Sequence, residues 1–372
     1  ISKRQIQSSQ KKRKQKESRE LGSNLLFVIS QPRAGSTLVQ RLLAGHPDIH
    51  TTGEPWIMLH PLYALKREGI STEYQSEMAR QGLEDFLVDI PEGEELYIQA
   101  LRKMSSVLYN RMINLCGKSF FLDKTPRYYL IIPELHRVFP NAKFLFLLRN
   151  PIAVLSSVLA TWFGNNPQAL VQSKNYIDVI KGPKYLVQGI RQLKEDAIVI
   201  HYEKLVEQPK EVMRHVCNRI GIPFLENILD YGKFPAPKGR FGDAVGINKH
   251  VRPVTDYANK WIENLAAPNL VEYSLEYLSR LGPQITCNMG YPYDEIKQGL
   301  ISLKKSRQAP LEQTVNAESD FQNLLELEPS HDIAKNGIEH IKSHEGERRI
   351  DSSLIAKRVR NEDAKSHIGD YI

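Results

Sequence analysis

The chain has only three cysteines, Cys116, Cys217 and Cys287, far apart and with no pair at metal-ligand spacing. That argues against a disulfide-stapled scaffold and a cysteine metal site, and it makes a reducing, cytoplasmic setting the expectation. Long apolar runs are also missing. The longest, Leu25 to Ile29 and Phe144 to Leu148, are strand-sized and fall far short of the roughly 20 residues that cross a bilayer as a helix. Net positive charge is scarce outside one place. The formal net charge is +7, but residues 1–20 hold eight lysines and arginines against Glu17 and Glu20, so +6 of it sits there and +1 is left for everything else. Residues 1–21 therefore read as a disordered basic tail. With no basic surface interleaved with aromatics after it, a nucleic-acid partner is not expected.

What is present is an ordinary globular composition, 372 residues with 41% hydrophobic and 25% charged, enough for one large core or two modest ones. Leu25-Leu26-Phe27-Val28-Ile29-Ser30 reads as a strand, Gln31-Pro32-Arg33-Ala34-Gly35 as a tight loop, and Ser36-Thr37 as the start of a helix carrying Leu38, Arg41 and Leu42. Strand, loop and helix in that order aim unpaired amides and the positive end of the helix dipole at one spot, an anion cradle. Further strands are expected at Ser119–Asp123, Ala142–Leu148 and Ala197–Tyr202. Helices are expected across Trp56–Gly117 with a break at Glu92–Glu95, and over Tyr128–Phe139, Ile152–Phe163 and Pro209–Ile220. Alternating strands and helices predict an α/β domain around a parallel sheet, of the three-layer P-loop NTPase-like type, with ligands at the carboxyl ends of the strands.

Those strand ends carry Arg33–Thr37, Lys124-Thr125-Pro126, Arg149-Asn150-Pro151 and His201-Tyr202. Three of the four clusters hold a cation, so the site suits an anion. A Walker loop has a Lys after its last Gly and an aspartate at a neighbouring strand end for magnesium. Here Arg33 precedes Gly35 and Arg149 stands where the aspartate would be, with no metal ligand in evidence; ATP chemistry is disfavoured. Pro235–Pro253, with Lys238, Arg240, Lys249 and Arg252, reads as a flexible basic lid. Phe321–His331 is similar to the second half of a tetratricopeptide (TPR) repeat, and a generic amphipathic helix is the alternative.

The ordered set of motifs resembles the sulfotransferases that use 3′-phosphoadenosine 5′-phosphosulfate (PAPS), in particular the tyrosylprotein branch and related bacterial enzymes. The likeness rests on Pro32–Leu38, Gly45-His46-Pro47-Asp48, Asp123–Pro126, Phe139–Phe144, Arg149 with Ser157, and Tyr202-Glu203-Lys204-Leu205, and it covers about Leu25 to Tyr293. It implies a sulfotransferase domain over 22–298; the polar, helical pattern beyond it reads as an extension over 299–372, where the TPR-like stretch, if it is a single repeat, offers a region for a protein partner. The resemblance also implies in-line transfer of a sulfuryl group from PAPS to an acceptor hydroxyl, leaving adenosine 3′,5′-bisphosphate (PAP), without a metal. By the same resemblance Arg33, Ala34, Gly35, Ser36 and Thr37 bind the 5′-phosphosulfate, Arg149 and Ser157 the 3′-phosphate, and Tyr202 the adenine. Arg252 closes from the lid. Glu54 is the general base, with His50 and His60 as alternative bases. Lys124 and Arg33 neutralise charge on the transferring group. His46 reads as a helix-end hydrogen bonder.

Departures from the tyrosylprotein branch are Gly246, where a catalytic serine is expected, and Thr51 and Leu122, where cysteines pair. They point to a soluble enzyme with another acceptor: a small molecule, lipid, saccharide or peptide hydroxyl. The rival readings are a P-loop small-molecule kinase and a non-catalytic interaction module on the same fold.

Overall fold

The computed structural model describes residues 21–66, 70, 72–239, 241 and 250–308. Contacts divide the chain into 1–308 and 309–372; the second unit, with the TPR-like stretch, and the N-terminal tail lie outside the described residues.

In chain order the elements are β1 (Leu25–Ser30), α1 (Ser36–Ala44), β2 (Ile49–Thr51), α2 (Leu59–Tyr63), α3 (Ser76–Val88), α4 (Glu94–Cys116) and β3 (Phe120–Lys124). A 3₁₀ turn over Pro126–Ile131 leads to α5 (Ile132–Val138), β4 (Lys143–Leu148), α6 (Pro151–Trp162), α7 (Pro167–Gln172), α8 (Tyr176–Ile180), α9 (Gly182–Leu193) and β5 (Ala197–His201). Then follow α10 (Tyr202–Glu207), α11 (Pro209–Ile220), α12 (Lys260–Asn264), α13 (Pro268–Asn288) and α14 (Tyr293–Gln308). The five strands form one parallel sheet in the order β2-β3-β1-β4-β5. This is the expected α/β architecture.

Every residue of β1 is buried, which explains its unbroken apolar run: a central parallel strand is covered on both faces. Alternation then sorts its side chains. Leu26 and Val28 join Leu145, Leu147, Ile198 and Ile200 in a core with α1, α6, α11 and α13. Leu25, Phe27 and Ile29 join Phe144, Phe146 and Leu148 in a second core with α4, α5 and α9. Phe27 anchors that second core, its ring 5.5–6.3 Å from those of Phe144, Phe139, Tyr128 and Tyr109. Replacing such a side chain by alanine costs about 3–5 kcal/mol.

The structure departs from expectation in three places. Ile49–Thr51, in a turn-rich segment, is the edge strand β2. The helix expected from Tyr128 begins as a 3₁₀ turn opened by Pro126 and becomes α-helical at Ile132. Finally, α14 runs across the boundary expected at 298, with Ile296 and Leu300 buried in the first core.

Candidate active site

The loop between β1 and α1 is built on two left-handed residues, Arg33 (φ 68°) and Gly35 (φ 100°). Glycine is required at 35 twice over. Its φ is strained for any other residue, and a Cβ there would stand 2.5 Å from Cδ2 of Tyr202. Arg33 has no such exemption and spends local strain to lie across the loop, a pattern common at ligand clamps. Its Nε donates to Ser157 Oγ (3.3 Å) on α6, tying together two residues expected at the two phosphate sites.

Arg149, at the end of β4, donates from Nη1 to the Arg33 carbonyl (3.1 Å) and from Nη2 to the Tyr257 carbonyl. Its guanidinium lies 4.2 Å from the centre of the Tyr202 ring. Burial lowers its pKa, though the group stays protonated. Its Nε, fully buried, has no hydrogen-bond partner among the described residues. Asn150 caps α6 through Oδ1 (Ile152 N, 2.9 Å), with Pro151 at the first helical position. Asn150 also donates its own amide to Glu203 Oε1 (3.0 Å), whose other oxygen accepts from Tyr291 (2.5 Å).

The second half of the site is a pair of opposite charges. Lys124, at the end of β3, is 1% exposed, and its Nζ sits 2.8 Å from Glu54 Oε1. Glu54 Oε2 accepts from Trp56 Nε1 (3.2 Å). The loop carrying Glu54 is closed from the lid side: Gly53 N donates to Lys238 O (2.7 Å), and a Cβ on Gly53 would stand 2.6 Å from Gly239 Cα. Phe241 adds a ring 5.8 Å from that of Trp56.

One cavity of about 650 Å³ brings these together: Arg33, Gly35, Ser36, Thr37, Glu54, Arg149, Ser157 and Tyr202 all line it. Ala34 is buried beneath the loop, and Lys124 lies beneath the wall and reaches the cavity through Glu54. Arg252 stands apart, its side chain largely exposed and paired with Asp230, while the following Pro253 and Val254 line the cavity. Gly246, Arg240 and Lys249 fall outside the described residues. Neither His50 nor His60 lines the cavity. His46 is a buried helix-end bridge, Nε2 to Pro223 O (3.0 Å) and Nδ1 accepting from Asp48 N (3.1 Å). Thr51 and Leu122 are register partners, joined by Thr51 Oγ1 donating to Leu122 O (2.7 Å).

Several lining residues had no motif to mark them. Arg127, directly after Thr125-Pro126, is clamped by buried Asp178 (Nη2–Oδ2 2.6 Å) and lies 5.8 Å from the Trp56 ring. Arg41, read only as a member of the helical pattern, donates to Tyr231 O (3.1 Å). Tyr257, just before α12, and Lys260, Trp261 and Asn264 on it also line the cavity with no motif to mark them.

A parallel sheet whose strand ends assemble a glycine loop at a helix N-terminus, a buried arginine and a lysine–carboxylate pair defines an α/β protein of the P-loop-like class with an anion-suited cavity. A family model described as the sulfotransferase family matches residues 26–226, and the chain belongs to that family. It is 30% identical over 218 residues to nodulation protein NoeE of Sinorhizobium fredii, covering 53% of this chain and 50% of that one. To the protein-tyrosine sulfotransferase of Drosophila melanogaster it is 25% identical over 229 residues, 56% of this chain and 40% of that one. The chain thus spans half or less of the length of these two relatives. Among solved structures, the sulfotransferase domain from the curacin biosynthetic pathway aligns over 69% of this chain and 96% of that one, at 23% identity and a TM-score of 0.44. A mouse sulfotransferase complexed with PAP aligns over 72% and 89%, at 13% identity and 0.40.

Proposed function

We propose that the protein is a PAPS-dependent sulfotransferase acting on an acceptor hydroxyl, with Glu54 as general base and Lys124 and Arg33 as charge-neutralising groups. The observation that carries this reading is the buried Lys124–Glu54 pair, 2.8 Å apart, set at the strand ends beside the Arg33–Thr37 loop. PAPS, when bound, supplies the sulfuryl group. The residues suit such a donor: a buried guanidinium at Arg149 whose Nε has no partner among the described residues, and a loop whose glycine leaves no side chain in the way. Arg33, Ser36 and Thr37, with the amides of the first turn of α1, hold the 5′-phosphosulfate, and Arg149 with Ser157 holds the 3′-phosphate. Tyr202 is the adenine contact and Arg252 the closing cation from the lid.

Glu54, as carboxylate, accepts the acceptor's proton. Among the described residues each of its oxygens has one donor, Lys124 on Oε1 and Trp56 on Oε2, which leaves a second lone pair on each. Lys124 orients Oε1 and places fixed positive charge where negative charge grows, the kind of preorganisation that dominates loose in-line transfers. The three thiols, all free, accord with a cytoplasmic setting. The acceptor class spans small molecules, lipids, saccharides and peptide hydroxyls. A protein partner, if the chain has one, is assigned to the C-terminal region, 299–372.

The test is transfer of radiolabelled sulfate from PAPS into extracts by wild type, Arg33→Ala and Glu54→Ala. Labelled product with wild type, none with Glu54→Ala, and weakened PAP binding by Arg33→Ala support the reading. Magnesium-dependent ATP turnover in place of sulfate transfer would restore the kinase. Binding of neither nucleotide would favour the interaction module.

A further inference from the structure

Behind the Lys124–Glu54 pair lies a buried carboxylate that the transfer chemistry does not use. Asp123 is 1% exposed and gathers three hydroxyls: Tyr109 from α4 (2.7 Å) and Tyr128 from the 3₁₀ turn (2.9 Å) on Oδ2, and Thr125 (2.8 Å) on Oδ1. Two of these hydroxyls also accept. Tyr128 takes the amide of Met58 (3.1 Å), and Thr125 takes that of Trp56 (3.4 Å). The bonds therefore run from the β3 end that carries Lys124 to the loop that carries Glu54. Trp56 sits at φ 57° in that loop, a left-handed conformation that a non-glycine side chain holds only under outside constraint.

We infer that Asp123 is the positioning residue of the site: its carboxylate, through Thr125 and Tyr128, fixes the Glu54 loop against Lys124 and so sets the separation of the catalytic pair. The inference rests on the sulfotransferase reading for its kinetic consequence, but not for its geometry. An ionised carboxylate accepts from all three hydroxyls at once. A protonated one turns one oxygen into a donor facing hydroxyls that already donate to it, and the network loosens. The groups facing Asp123 are Tyr109, Thr125 and Tyr128, with Lys124 beside it on its own strand. Burial pushes the carboxyl up to about 6, against the pull of the three hydrogen bonds and Lys124, so it ionises just below neutrality.

The experiment compares wild type, Asp123→Asn and the Tyr109→Phe/Tyr128→Phe double variant by three readouts. These are kcat and KM for PAPS against pH, calorimetric PAP binding, and acylation of Lys124 by an amine-reactive reagent, with Lys143 at the far end of the sheet as internal control. We expect kcat to fall by about 10²-fold, as for a misplacement on the order of 1 Å, with PAP affinity unchanged. The fall in wild-type kcat below pH 6 should be absent in Asp123→Asn. Lys124 should label faster while Lys143 does not. Unchanged kcat with unchanged Lys124 labelling overturns the inference, as does labelling of both lysines rising together, which marks general loosening. Should Asp123→Asn fail to fold, the double tyrosine variant, which keeps the charge, carries the same comparison. Should wild type transfer no sulfate, the function fails alone, and the labelling still decides the role of Asp123.

Discussion

Glu54→Gln separates the chemistry of the Lys124–Glu54 pair from its contribution to stability. Lys124 has 1% of its side chain exposed and Glu54 15%, so the pair is held largely away from water at 2.8 Å. Removing one member of a buried pair costs about 3–5 kcal/mol, because the remaining charge stays buried without its partner. Glutamine keeps the shape and one acceptor for Nζ, so the loss here belongs below that range, about 2 kcal/mol, the order of a hydrogen bond to a charged group. For a domain this large that lowers Tm by roughly 4–8 °C at about 2–4 °C per kcal/mol. Turnover should fall further, by about 10²–10⁴-fold, the usual contribution of a general base. Lys124→Met should destabilise as well by stranding the carboxylate, whereas the double variant, with neither charge left, should lose less than the two singles together. Thermal unfolding of all four proteins gives the coupling energy, expected at about 1–3 kcal/mol. Single-turnover transfer gives the catalytic part. A coupling near zero would show that the pair is not the unit described, and full turnover by Glu54→Gln would move the base elsewhere.

Gly35→Ala should abolish PAP binding in calorimetry while the protein still folds. The left-handed φ alone costs about 1–2 kcal/mol, and the new Cβ, 2.5 Å from Cδ2 of Tyr202, forces the loop off its ring. Arg149→Lys should weaken PAP binding by roughly tenfold or more, because an ammonium cannot reach the carbonyls of Arg33 and Tyr257 and still offer a planar face to Tyr202. Gly53→Ala, pressed against Gly239 Cα at 2.6 Å, should open the Glu54 loop. A fall in kcat with unchanged PAP affinity checks it. The Asp123 carboxyl, raised to about 6 in the fold, opposes folding above that pH and ceases to do so below its unfolded value of 3.8. Replacing it with Asn should therefore flatten the Tm–pH curve between 4 and 6.

The sheet was legible because its central strands are apolar on both faces and end in charged or Gly/Pro punctuation, as Phe144–Leu148 ends in Arg149-Asn150-Pro151. Edge strand β2 was hidden because three residues show no periodicity, and its Thr51, with the register partner Leu122 on β3, draws notice only through the family pattern. The punctuation Gly290-Tyr291-Pro292-Tyr293 reads in sequence as the close of the compact region, yet the core continues past it, since Ile296 and Leu300 return to it one and two turns later. For the site, the strand-end rule found Arg33, Lys124 and Arg149. It could not find Arg41 or Arg127, whose cations are drawn to the cavity wall by a carbonyl and a buried aspartate distant in sequence. Glu54 emerged from resemblance, and only its 2.8 Å approach to Lys124 gives it a physical reason. Arg252 shows the opposite limit: a basic residue in a basic stretch, paired outward to Asp230.

The strand register has a consequence for how such a site tolerates change. Lys124 stands opposite Val28, Ser30 opposite Leu147, and Leu148 opposite His201, so the hydrogen-bond ladder works as a ruler that places the side chains at the strand ends. Insertions in the loops beyond the ruler's end reshape what can enter the cavity without moving its marks. One residue added inside β3 would shift Lys124 by about 3.3 Å and turn it to the opposite face of the sheet, beyond the reach of Glu54.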